Sequence, residues 1–185
     1  MISLHFLRVN STEGMVLPSG FLEPKWYAVY TSANHEKRVR DQLEQRSVES
    51  FLPVYGTVRQ WKDRRKSLEL PLFPGYVFVR LALRDRLRVL QIPSVVRLVG
   101  FGDRPTALPD LEIEALRTGL MRDMRMEPFP FLKVGHRVRV RNGPLHGLEG
   151  ILVRKKNTSR FVISLHLILR SVATEIDISE LEQVR

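Results

Sequence analysis

The run Arg59-Gln60-Trp61-Lys62-Asp63-Arg64-Arg65-Lys66 holds five cations, one acid and a tryptophan. Cations of this density contact phosphates, and an indole stacks on a base, so the combination suits single-stranded nucleic acid. Lys37, Arg38 and Arg40 form a second basic group. Signs of catalysis are weaker. The five histidines, at positions 5, 35, 136, 146 and 166, never take the HxxxH or HExxH spacing of a zinc site. Gly100-Phe101-Gly102 and the glycines between 143 and 150 lack the strand, helix and Lys-Ser/Thr ending of a phosphate loop. They read as turns that use glycine's backbone freedom. No enzyme activity, cofactor or metal is expected.

A different chemistry lies in residues 68–81, LELPLFPGYVFVRL. From Tyr76 onward this is a strand by composition. Side chains alternate along a strand, so Val77, Val79 and Leu81 share one face while Tyr76 and Phe78 share the other. Both faces are apolar, so both need cover. Trp26, Ala28 and Tyr30 alternate in the same way at 26–30, and a contiguous aromatic patch follows. Such a patch is either packed by the domain itself or docks another protein.

These residues need elements to hold them. The order is strand (26–30), helix (to about 46, capped by Ser32 or Asn34), strand (51–54), basic hairpin (57–70), strand (76–81), helix (84–91), strand (95–99) and helix (108–120). The helices show Val39 with Leu43, Leu83 with Leu87 and Leu90, and Leu111 with Ala115 and Leu116 as their apolar stripes. This is an α+β pattern, an antiparallel sheet with helices on one face. Residues 123–130, DMRMEPFP, carry two prolines and read as a linker. Beyond it, Val138 and Val140 alternate with Arg137, Arg139 and Arg141, and short strands follow at 151–154, 160–168 and 172–178. Short strands between turns predict a small five-stranded SH3-like β-barrel. The expected divisions are a loose extension at 1–24, a first domain at 25–122, the linker, and a second domain at 131–185.

The chain of 185 residues has 30 Lys and Arg against 20 Asp and Glu, a net charge of +10. Residues 25–122 carry +7 of it and residues 123–185 carry +4. The excess favours a polyanionic partner. Absence of cysteine fits a reducing cytoplasm and excludes disulfides and thiolate metal sites. No apolar run approaches the ~20 residues of a membrane span, so no membrane partner is expected.

WYAVYTSANHEKRVRDQL, LFPGYVFVRL and VVRLVGFGDRPTALPDLEIEAL together resemble the N-terminal (NGN) domain of the NusG/Spt5 family of transcription elongation factors. VGHRVRVRNGPLHGLEGILV resembles that family's KOW domain. The resemblance runs over about residues 25–185. It implies a bacterial, cytoplasmic, monomeric elongation or antitermination factor. Its aromatic sheet face, here Tyr30, Phe73, Tyr76 and Phe78, would dock on the clamp helices of the largest RNA polymerase subunit and suppress pausing or termination. Lys37, Arg38, Lys62, Arg64 and Arg65 would lie toward upstream or non-template DNA. The KOW domain would recruit Rho or a ribosomal protein. SLELPLFPGYVFV is more similar to the operon-specific antiterminator RfaH, and LHLILRSVATEIDISELEQV to UpxY-type regulators. These imply a specialised, operon-specific paralogue. The alternative is a KOW-containing RNA-binding or ribosome-associated protein that uses the Arg137, Arg139 and Arg141 stripe.

Overall fold

The computed structural model describes residues 20–60, 65–102, 104–132, 135–155 and 158–184. The elements of the first half are β1 (Lys25–Thr31), α1 (Glu36–Gln45), β2 (Glu49–Phe51), β3 (Val54–Gln60), β4 (Arg65–Pro71), β5 (Tyr76–Leu81), α2 (Leu87–Leu90), β6 (Val95–Leu98), β7 (Gly100–Phe101), β8 (Arg104–Pro105) and α3 (Asp110–Met121). A four-stranded sheet runs in the order β2-β5-β1-β6, with the β3-β4 hairpin beside it. β1 is antiparallel to both β5 and β6.

The period-2 pattern sorts two faces. On one, Tyr27, Val29, Val77, Val79 and Leu81 pack with Val39 and Leu43 of α1, Val89 of α2, and Leu83 and Ile92. On the other, Trp26, Ala28 and Phe78 join Phe73, Val99, Leu108, Ile113, Ala115 and Leu116. The α+β class stands with one amendment. α1 and α2 lie on the first face as expected, but α3 covers the second. A bridge between Trp26 and Leu108 sets the chain just upstream of α3 at the edge of β1. α3 then lies on the aromatic side, where Ile113, Ala115 and Leu116 share a cluster with Trp26, Ala28 and Phe78.

The stripes differ in detail from the periodic reading. Leu111 is 52% exposed, and Ile113 enters the core in its place. Leu87 is 59% exposed because α2 is a single turn whose buried residue is Val89. α1 begins after His35, which offers no side-chain cap, rather than after Ser32 or Asn34.

The second half holds β9 (Met126–Phe129), β10 (His136–Val140), β11 (Glu149–Lys155), β12 (Thr158–Leu165), β13 (Arg170–Glu175) and β14 (Leu181–Gln183). They form one sheet in the order β14-β10-β11-β12-β13-β9. The four strands located in sequence are present with shifted bounds, and Leu181–Gln183 supplies the fifth. The segment expected as a linker adds a sixth, pairing Met126–Phe129 with Ser171–Thr174. Pro128 fits there because β9 is an edge strand, where a missing N–H leaves no ladder bond unmade. Val138 and Val140 point inward and Arg137, Arg139 and Arg141 outward. The barrel is not packed separately. Leu145, Phe161, Leu165, Ile168 and Val172 belong to the same apolar cluster as Phe73, Phe78 and α3.

Candidate docking surface

The candidate surface begins at a turn. Phe73-Pro74-Gly75-Tyr76 closes with the Tyr76 N–H donating to the Phe73 carbonyl at 3.0 Å, and Gly75 has φ +85°. Proline second and a positive-φ glycine third are what a type II turn requires. The missing Cβ also matters, since one built at Gly75 would sit 3.3 Å from the Tyr30 ring. Two further bonds fix the turn. The Thr31 N–H donates to the Gly75 carbonyl, and the Gly75 N–H donates to Glu36 Oε1 at 2.7 Å. Glu36 is only 5% exposed, so α1's first carboxylate braces the turn from beneath.

Strand register arranges the aromatic face in rows. Arg97 of β6, Tyr30 of β1 and Tyr76 of β5 lie directly opposite one another. The Tyr30 and Tyr76 ring centroids are 5.5 Å apart, and the Arg97 guanidinium sits 5.9 Å from the Tyr30 centroid. The next row holds Ala28, Phe78 and Phe51. Phe73 meets Phe78 edge-on at 5.5 Å. The third row holds Trp26, Arg80 and Glu49.

Cover differs between rows. Arg117 of α3 lies over both Trp26 (5.7 Å) and Phe51 (6.0 Å), and donates to Glu49 at 3.0 Å. Phe73 and Phe78 are 1% and 0% exposed within the cluster shared with α3 and the barrel. Tyr30 is 39% exposed and Tyr76 is half-buried. The four aromatics predicted as a docking set are therefore contiguous, but only the tyrosine row is open.

α3 meets the barrel through its small residues. A Cβ on Gly119 would fall 2.5 Å from Met126 Cε and 3.4 Å from Leu145 Cδ2. Nearby, Glu112, Arg137, Glu149, Ile151, Val162 and His166 line a cavity of about 370 Å³. Burial there pushes the Glu112 carboxyl up to about 7.

The predicted cations divide. Lys37 and Arg38 are exposed on α1, and Lys37 reaches Glu69 of β4 at 3.7 Å, which ties the helix to the hairpin. Arg65 is exposed at the start of β4. Lys62 and Arg64, with Trp61, lie outside the described residues. The barrel's arginine stripe is matched by acids. Arg137 and Arg139 donate to Glu149 at 2.8 and 2.6 Å, while Arg139 and Arg141 approach Glu182 at 3.7 and 3.6 Å. The Arg139 hydrogen bond holds the Glu149 carboxyl below its ordinary range. Sequence reasoning missed Glu36, Arg97 and Arg117. Arg97 did leave a signal, a lone cation inside Val95-Val96-Arg97-Leu98-Val99.

Comparison with known proteins supplies the context. The profile of the family described as transcription termination factor NusG matches residues 24–117, about half the chain. The transcription termination/antitermination protein NusG of Escherichia coli (strain K12) is 28% identical over 174 residues, spanning 86% of this chain and 96% of the relative. The protein of the same name from Lactococcus lactis subsp. lactis (strain IL1403) is 26% identical over 174 residues, spanning 86% and 93%. A solved structure of Thermotoga maritima NusG, described as a domain interaction, superposes with a TM-score of 0.54 at 23% identity, covering 88% of this chain and 98% of that one. That likeness establishes the fold, an NGN-type domain followed by a KOW-type barrel. The aromatic rows on the four-stranded sheet fall within the matched span, and this chain belongs to the NusG family of transcription termination and antitermination factors.

Proposed function

We propose that this chain is an elongation and antitermination factor that docks on the clamp helices of RNA polymerase through its aromatic sheet face, and so suppresses pausing or termination. The observation that carries this is the row Tyr30–Tyr76, left open beside a rigid turn and continuous with Phe73 and Phe78 beneath. Aromatic rows of this kind anchor protein interfaces. α1 braces the turn through Glu36 and reaches the hairpin through Lys37 and Glu69; Lys37, Arg38, Lys62, Arg64 and Arg65 are the cations assigned to non-template or upstream DNA. Phe73 and Phe78 reach a partner when the barrel gives way, so polymerase and barrel compete for them. The freed barrel then recruits a further factor, Rho or a ribosomal protein. The similarity of its tail, LHLILRSVATEIDISELEQV, to UpxY-type regulators supports operon-specific use. The paired arginine stripe speaks against the RNA-binding alternative.

The test is binding of the full chain to core RNA polymerase, wild type against Tyr30→Ala/Tyr76→Ala. The tyrosines suit this better than Phe78, whose truncation opens a core cavity that costs about 3–5 kcal/mol. Binding by wild type and at least tenfold weaker binding by a variant that melts normally is expected. Equal binding by both sinks the docking assignment.

A further inference from the structure

Two arginines lie over aromatic rings of the same sheet face, and they differ in one respect. Arg117 covers Trp26 and Phe51, and its charge is met by Glu49 at 3.0 Å and Glu114 at 3.5 Å. Arg97 covers Tyr30, is exposed, and has no acidic partner among the described residues. Glu36, the carboxylate bracing the turn at this end of the sheet, is buried and already accepts the Gly75 N–H. His35 is likewise committed, with Nδ1 2.6 Å from Ser94 Oγ. Arg97 is placed by its cross-strand neighbour Tyr30 and Arg117 by α3, so the fold sets where each cation lies. In the Arg117 instance the fold supplies both halves of the arrangement, a cation on aromatics and a carboxylate against the cation. In the open instance it supplies one half.

We propose that Arg97 is a specificity-determining residue of the docking face, reading a carboxylate that a protein partner presents next to an apolar residue seated on Tyr30 and Tyr76. This rests on the docking function above and adds the chemistry of the partner. Its contact surface there is an acidic residue flanked by apolar ones, the counterpart of Glu49 against Arg117. A guanidinium already stacked on a ring loses little freedom when it accepts such a partner, and its planar fork matches a carboxylate bidentately. A phosphate would satisfy the charge but leave the two tyrosines without an apolar neighbour. The row therefore favours a protein segment over nucleic acid.

Full-length wild type, Arg97→Lys, Arg97→Gln and Arg97→Glu are titrated against core RNA polymerase, first free of nucleic acid and then with bound DNA, at low and high salt, with melting curves for each. Because Arg97 is exposed, all four should melt together. Affinity should fall in the order wild type, Lys, Gln, Glu, with Arg97→Glu at least tenfold weaker at low salt and the gap narrowing as salt rises. An acid-to-Lys change on the polymerase clamp should restore Arg97→Glu and weaken wild type. If the tyrosine pair is required but all Arg97 variants bind alike, this inference fails and the docking reading stands. If they differ only when DNA is present, the cation meets phosphate and the protein-carboxylate assignment fails. Wild type that does not bind overturns the docking reading and this inference with it.

Discussion

The two faces of the four-stranded sheet share its strands and meet different fates. The face under α1 is mostly aliphatic and closes within the first domain, with Val29, Val39, Leu43, Val77, Val79 and Val89 at 0% exposure. The opposite face is aromatic and graded. It runs from a row sealed by Arg117, through Phe78 and Phe73 in a cluster that continues into the barrel, to an open tyrosine row. A face closed by its own domain can serve only stability. A face whose cover comes partly from a second domain can exchange that cover for a partner.

The largest effect should mark this contrast. Leu43→Ala empties a site on the sealed face and should destabilise the first domain by about 3 kcal/mol, read by chemical denaturation. Tyr30→Ala, on the open row, should change stability by less than about 1 kcal/mol. Comparable losses would make the tyrosine row core and erase the distinction.

A middle-sized effect should sharpen the intermediate zone. Gly119 lets α3 approach Met126 and Leu145, so Gly119→Val must displace them. Overpacking of this kind costs about 1–3 kcal/mol. The expected outcome is faster amide exchange at Met126 and in the barrel segment around Leu145, with the face under α1 unchanged. Exchange that rises uniformly over both faces would mean that α3 belongs to the global core and not to a separable contact.

How far the sequence foretold this arrangement depends on what periodicity can encode. Alternation placed Tyr76 and Phe78 on one face and Val77, Val79 and Leu81 on the other, as observed. The hairpin and the inward Val138 and Val140 were legible because each depends on local residues. What covers a face is not local. Nothing in Ile113 or Leu116 says that α3 crosses the aromatic side, and nothing in Phe73 or Phe78 says that the barrel shares their cluster. The strand at Met126–Phe129 was hidden by its proline, which is tolerated only because the strand ends up at an edge. Of the docking set, the identities of the tyrosines were readable. The brace from Glu36 and the cation at Arg97 appeared only once a helix 39 residues away and a strand 67 residues away were brought beside Gly75 and Tyr30.

The smallest effect concerns acidity at the contact between α3 and the barrel. Glu112, half-buried there, has its carboxyl pushed from 4.5 up to about 7 because burial disfavours the charged form. Arg137, Glu149 and His166 face it across the cavity, and Arg137 is already engaged by Glu149. When the barrel separates, Glu112 meets water and returns to its ordinary value. A group whose pKa is raised in the packed state favours packing fully below its ordinary pKa, and that preference is lost as pH rises through the packed-state value. Wild-type contact should therefore weaken between about pH 4.5 and 7, by roughly 1 kcal/mol once partial exposure to solvent is allowed for. Glu112→Gln, which cannot ionise, should flatten that dependence and keep the barrel packed at pH 8. Amide exchange of Met126 and its neighbours, followed from pH 5 to 8 after correction for intrinsic exchange rates, measures it. An unchanged slope in Glu112→Gln would assign the pH dependence to another group and leave the α3 contact governed by packing at Gly119 alone.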